Sequence, residues 1–408
     1  GWRFIFQNRI ILAIMSVAVF FTNLPNYLHI HRWGIVPYQW VVGFGIVALP
    51  LFVRQVSKSN VLGRTVVGWS LLYLIVSLLW FIPSAQDDMA WQEVRSRALT
   101  AIELMVFFIL FADQQMNRIV RHALVAGVLV GVGLNVYEVF VPLSFSEIIG
   151  RSAGLYINPT TSSLALVGGM IITVTILPRW FRGIFVLIVG VGVLSTFSRG
   201  GIILWIVATA GFVISRQIPS KDVVQAMILG SVIFAVLVIQ QGAELLDVLT
   251  RTGVLNANVE ERLEWLTDPS GVQDRSGWAR TYVAKRLWEK YAETPFFGEG
   301  TGAAYSAFEI PPHNQYLLLM VDHGLVGMLL FPLLILSVVY EARGGAITLV
   351  LVFGGMQALA GLMSNTLLTE PQTLLLFAVA ATMPSREEDD CQTSVQRLDQ
   401  KGLTPQPA

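Results

Sequence analysis

Arg151, Arg199, Arg280 and His313 are the residues whose types could do polar chemistry together. An arginine fork binds anionic oxygens bidentately and stays charged. A neutral histidine is the usual general base near pH 7. Arg199 stands in FSRGG, between two apolar runs, where a guanidinium is costly unless wet or paired. Arg280 lies in WARTYVAKRLWEKYAE, His313 in PPHNQY and Arg151 in GRSAGLYINPTT. Each also has an ordinary reading. Arg199 can snorkel to headgroups, Arg280 can belong to a solvated helix face, His313 can be a plain helix-start residue, and Arg151 can touch lipid.

The elements that must position these residues follow from hydropathy. Of 408 residues, 54% are hydrophobic and 13% charged, about half the charge of a soluble domain. Apolar runs of about twenty residues recur, each long enough to cross a bilayer core. They are read at 10–27, 36–53, 64–83, 98–112, 121–140, 161–178, 182–197, 200–215, 222–240, 315–339, 345–363 and 367–383. Backbone groups in lipid must be satisfied internally, and these runs do not alternate as barrel strands do, so helices are expected. The expected fold is all-α, a polytopic membrane bundle of about twelve spans. Zero formal charge argues against a nucleic-acid partner. Cys391 is the only cysteine, so no intrachain disulfide is available.

Lysine and arginine placement sets the orientation. With both termini in the cytoplasm, basic residues of the short loops favour the cytoplasmic side by roughly three to one. The chain then divides into spans 1–9 at 1–240, a large outside loop at 241–314, spans 10–12 at 315–383 and a polar cytoplasmic tail at 384–408. The loop is too long to be a passive connection. An amphipathic helix is expected over 278–293, anchored by Trp278, Tyr282, Leu287, Trp288 and Tyr291, and stopped by Pro295, Gly298, Gly300 and Gly302. Arg151, Arg199, Arg280 and His313 all fall on the outside face, from four parts of the chain.

No Walker A loop or metal-spaced Cys/His cluster occurs. Few ionisable residues fall inside the runs, so a transporter's proton relay is not evident. Asp87 and Asp88 are an adjacent acidic pair outside the membrane, a weak metal candidate. Asp322 and His323 are read as helix packing, and Glu370, near the outer end of the last run, as a further candidate acid. His29 and His31 fall in a short loop.

FSRGG at 197–201, then Arg280 followed by PFFGEG at 295–300, then HNQYLLLMVDHGLVG at 313–327, resemble the O-antigen ligase family of integral membrane glycosyltransferases. GRSAGLYINPTT at 150–161 resembles a further block of that family, with Thr160 where Asn is expected. The resemblance implies an inverting transfer from an undecaprenyl-pyrophosphate-linked glycan to a sugar hydroxyl of the lipid A core, with no cofactor and no metal. It implies His313 as base, Arg199 and Arg280 as catalytic cations, and Arg151 and Asn314 beside them at the pyrophosphate or glycan. It places the protein in the bacterial inner membrane, among membrane lipids, with the site facing the periplasm. An O-antigen polymerase or a protein O-oligosaccharyltransferase would share the donor and differ in acceptor. A polysaccharide flippase would instead need basic residues lining the spans and no single histidine.

Overall fold

A computed structural model describes residues 2–31, 34–58, 63–232, 275–306, 312–342 and 344–383, with Gly253 and Val259. Most of 241–274, the run's end at 233–240, Arg32, Arg343 and the tail with Cys391 lie outside the described residues, as does the side chain of Trp278. The described chain is all-helical. Its helices are α1 (Trp2–Ser16), α2 (Leu24–Ile30), α3 (Pro37–Lys58), α4 (Thr65–Phe81), α5 (Asp88–Phe111), α6 (Gln114–Phe140) and α7 (Pro159–Thr173). There follow α8 (Arg179–Ser195), α9 (Arg199–Ile214), α10 (220–232) and α11 (Arg275–Glu293). The last are α12 (Ala303–Ser306), α13 (Gln315–Glu341), α14 (Ala346–Gly361) and α15 (Pro371–Ala381).

The sequence starts many of these helices with side-chain caps, which satisfy backbone N–H groups that have no partner in the first turn. Asp87 accepts from Ala90 N at 2.8 Å and Asp113 from Gln115 N at 2.9 Å. Asn158, Ser198 and Asn314 cap α7, α9 and α13 in the same way. Asp87 also accepts from Ser306 Oγ at 3.0 Å, so the acidic pair considered for a metal begins with a capping residue.

From α4 onward the long helices run alternately up and down. One end of the bundle therefore collects the turns 82–87, 141–158, 196–198, 294–302, 312–314 and 362–370. The opposite end collects 112–113, 177–178 and 215–219. At the centre stand α7 and α15, with every residue from Ser162 to Thr173 and from Gln372 to Ala381 buried. A helix apolar on all sides belongs in a core. Gly168 and Gly169 let neighbours come close: a Cβ there would lie 2.7 Å from Leu376 Cδ1 and 2.5 Å from Val128 Cγ2. On the outside, Ile46, Val47, Ile75, Leu79, Ile206 and Leu336 are exposed. Apolar side chains facing outward around an apolar core fit a lipid surround.

By length and composition, Gln114–Phe140, Pro159–Ile176 and Gln315–Glu341 can each cross a membrane. Asn8–Phe21 and Leu24–Ile30 form a fourth if taken as one span bent by 46°. Thr65–Phe81, Arg199–Ile214, Ala346–Gly361 and Pro371–Ala381 are apolar but shorter. The expected twelve spans are thus not reached among the described residues by this measure. The physical reason is that several apolar runs stop short where caps and turns end the helix.

Three local expectations are corrected. The run read at 98–112 is the second half of a longer helix, so Arg95 and Arg97 are helical, and Arg97 is buried at 1% exposure. Ionisable residues inside the bundle are not few: Glu103, Arg121, Glu138, Arg182, Asp322, His323 and Glu341 are buried as well. Hydropathy does not show what meets them: Glu138 accepts from loop N–H groups, Arg182 donates to backbone carbonyls, and Asp322 and Glu341 pair with Arg97 and Arg64. His29 lies in α2 rather than a loop, with His31 as its C-cap.

Candidate functional site

Arg151 and Arg199 are brought together at the collecting end of the bundle. Their support begins at Glu138, near the end of α6 and 3% exposed. Its Oε1 accepts from Phe145 N at 2.9 Å and from Ser146 N, and its Oε2 from Ala153 N at 2.7 Å and Gly154 N at 3.1 Å. One carboxylate thus closes the whole 145–154 loop. The loop then hands Arg151 to the turn between α8 and α9. Ser152 N donates to Ser195 O at 3.2 Å, and Arg151 Nε to Thr196 O at 3.3 Å. Arg199 opens α9 directly after that turn, behind its cap Ser198. Sequence reading passed over Glu138, although a lone glutamate in the apolar run VYEVF is a visible signal.

His313 and Arg280 form the second pair. Asn314 holds the start of α13, its Oδ1 accepting from Tyr316 N and Leu317 N, both at 3.0 Å. That cap fixes the backbone next to His313, whose side chain is exposed. The expected amphipathic helix is present as α11, and it packs along α13. Its buried face is Val283, Leu287 and Tyr291, while Tyr282 and Trp288, expected as anchors, are exposed. Spacing by four residues puts the buried three on one stripe and leaves Arg280 exposed toward the start of α13. Partial desolvation, and then the Arg280 charge, hold the His313 imidazole below its ordinary pKa. Near pH 7 the ring is therefore neutral, the form a base requires.

The two pairs share a neighbour in the end of α14. Tyr316 Oη donates to Ala358 O at 2.9 Å, and a Cβ on Gly361 would lie 2.9 Å from the Tyr316 ring. Gly200, beside Arg199, comes as close to Met363, its would-be Cβ 2.8 Å from the sulfur. Asn365 Nδ2 donates to Tyr305 Oη at 2.7 Å, tying the same turn to α12. Glu370, the N-cap of α15, accepts from Gln372 Nε2 at 2.8 Å. Arginines, a neutral histidine and helix N-termini gathered at one mouth can bind a multiply charged anion and take up a proton.

A further cluster lies beneath the loop after α11. Arg97 on α5 donates from Nη1 to His323 Nε2 and from Nη2 to Asp322 Oδ2, with Glu93 3.4 Å from its Nε. Asp322 and His323 are fully buried in α13, and Trp80 sets its ring edge-on to His323 at 5.8 Å. An acid and a histidine on apolar neighbours read as packing in the sequence; the partner that gives them a role is more than two hundred residues away.

Among known protein families, the chain matches the model described as O-Antigen ligase over residues 183–331. The match takes in Arg199, Arg280, His313 and Asp322; Arg151 and Glu138 precede it. No curated protein gives a match.

Proposed function

We propose, from the premise that residues 183–331 belong to the O-antigen ligase family, that the protein moves a glycan from undecaprenyl pyrophosphate to a sugar hydroxyl of the lipid A core. The observation that carries this reading is the placement of His313 beside Arg280 at one bundle mouth, where partial burial and then the Arg280 charge favour the neutral ring. Arg199, Arg280 and Arg151 face the pyrophosphate, and the N-terminus of α13 adds its positive dipole end. His313 takes the proton as the acceptor oxygen bonds to the anomeric carbon. The bond from that carbon to the phosphate oxygen breaks, its electron pair leaves with undecaprenyl pyrophosphate, and the anomeric configuration inverts. Charge development on the leaving group is met by guanidinium groups, which do the electrostatic work a divalent metal does elsewhere.

The same reading orients the protein in the bacterial inner membrane with the mouth toward the periplasm and both termini in the cytoplasm. Arg64, Arg118, Arg121, Arg179, Arg182, Arg216 and Lys221 fall toward the opposite end of the bundle, where a cytoplasmic face would hold them. Transfer from a labelled polyprenyl-pyrophosphate glycan, offered rough lipopolysaccharide, a pilin and a second lipid-linked repeat in parallel, tests the acceptor. Labelled lipopolysaccharide alone is the expected product. Elongated carrier-linked glycan instead would make the protein a polymerase, and labelled pilin a protein O-oligosaccharyltransferase.

A further inference from the structure

The loop that follows α11 is held inside a break of α13. Gly324 leaves the helical region, with φ 61° and ψ −141°, so α13 is two helical segments meeting at Asp322–Leu325. The segment TPFFGEGTG fills the break. Glu299 N donates to Val321 O at 2.9 Å, Gly300 N to Asp322 O at 3.0 Å, and Leu325 N to Pro295 O at 3.0 Å. Backbones meet so closely that a Cβ on Gly298 would lie 2.6 Å from Asp322 C, and one on Gly324 2.5 Å from Phe296 C. Both glycines have positive φ, so no other residue fits in shape or in conformation.

One side chain closes this junction. Asp322 accepts from Gly302 N at 3.1 Å through Oδ2 and from Ala304 N at 2.8 Å through Oδ1, and Arg97 from α5 donates to the same Oδ2. Because arginine only donates, His323 accepts through Nε2 and carries its proton on Nδ1. Thr301 is buried beside them, its Oγ1 donating to Ser77 O at 2.9 Å and its N to Trp80 O at 3.1 Å. Lys290 pairs with Glu299 at 2.7 Å, so the end of α11 is tied to the same loop. Three elements meet at Asp322: α5, the loop from α11, and the half of α13 that begins at Gln315, just after His313.

We infer that Arg97, Asp322 and His323 form a latch that fixes α11 against the first half of α13, and so positions Arg280 toward His313 for the donor. This rests on the proposed transfer reaction only for its consequence, not for the latch itself. None of the three touches substrate in this account; they act through the loop. Replacing Asp322→Asn retains one acceptor oxygen but turns donors against Arg97 and Gly302 N. Replacing Arg97→Lys keeps the charge but gives up the fork that reaches two partners.

The test uses the full chain with Cys391→Ser and Thr301→Cys, in membranes, treated with a membrane-impermeant maleimide. The cysteine should stay unlabelled with the latch intact, and become labelled when Asp322→Asn or Arg97→Lys is added. The same latch variants, without the cysteine, should raise the apparent KM for a polyprenyl-pyrophosphate glycan by about tenfold, with a smaller change in the KM for the acceptor. A cysteine labelled from the outset, or buried in both latch variants, overturns the latch. A fall in kcat alone, with donor KM unchanged, is loss of folded enzyme and overturns the positioning role. Labelling needs no transferase activity, so the latch stands or falls separately from the assigned reaction.

Discussion

As the proposed base, His313 works only while its ring is neutral, and the Arg280 charge helps to keep it so. A lowered pKa means protonation, and loss of activity, begins only below the ordinary imidazole value of about 6.5. Arg280→Gln removes the positive neighbour and raises the His313 pKa. The acid limb of kcat/KM should therefore move to higher pH, which a pH–rate profile on the residual activity reads; an unmoved limb would separate the two residues. Arg199→Lys should lower kcat/KM about 10–100-fold, the scale of about 1.5–3 kcal/mol for a charged hydrogen bond. Glu138→Gln turns an NH2 against backbone donors that now meet a carboxylate, and should cost about 2 kcal/mol or more of stability; a melting curve in detergent checks it. At this scale Arg151, Arg280 and His313 stood out through the motifs that hold them, and Arg199 because it interrupts an apolar pattern. Arg97 and Glu138 interrupt it too, but their meaning lies in partners that no local pattern encodes.

At the scale of elements, helix starts were legible where an apolar run opens the helix. Asn158, Ser198 and Asn314 stand just before such runs and cap them, whereas Asp87 caps a helix whose first half is polar, so only its second half was read. The helix at 275–293 was legible from its period, yet its buried stripe was not, since Trp288 and Tyr282 look like anchors and face outward. The break in α13 was hidden because Gly324 sits in an apolar run that reads as one helix. Breaking a buried ion pair by removing one partner costs about 3–5 kcal/mol, so the Arg97–Asp322 contact is a strong constraint on that broken helix. Asn314→Ala should cost about 1 kcal/mol through the lost cap and lower activity by loosening His313. Asn314→Asp, which can still cap, should retain most of the stability in the same melting assay.

For the whole molecule, composition made the apolar bundle legible, and the asymmetry of Lys and Arg made its polarity an expectation. The span count was less legible, because hydropathy does not mark where a capped helix ends. A topology reporter placed in the turn 141–150 should read as periplasmic and one in 215–219 as cytoplasmic. The reverse result would turn the mouth, and the site with it, to the wrong side.

The most direct measurement is glycan transfer in proteoliposomes, from a labelled polyprenyl-pyrophosphate glycan to rough lipopolysaccharide, by the unaltered protein and by His313→Ala. A positioned general base contributes about 10²–10⁴-fold. Transfer by the unaltered chain and a loss of that size in the variant, with donor binding retained, are expected. Full activity of His313→Ala, or no transfer by the unaltered chain to this acceptor, would contradict the proposed function.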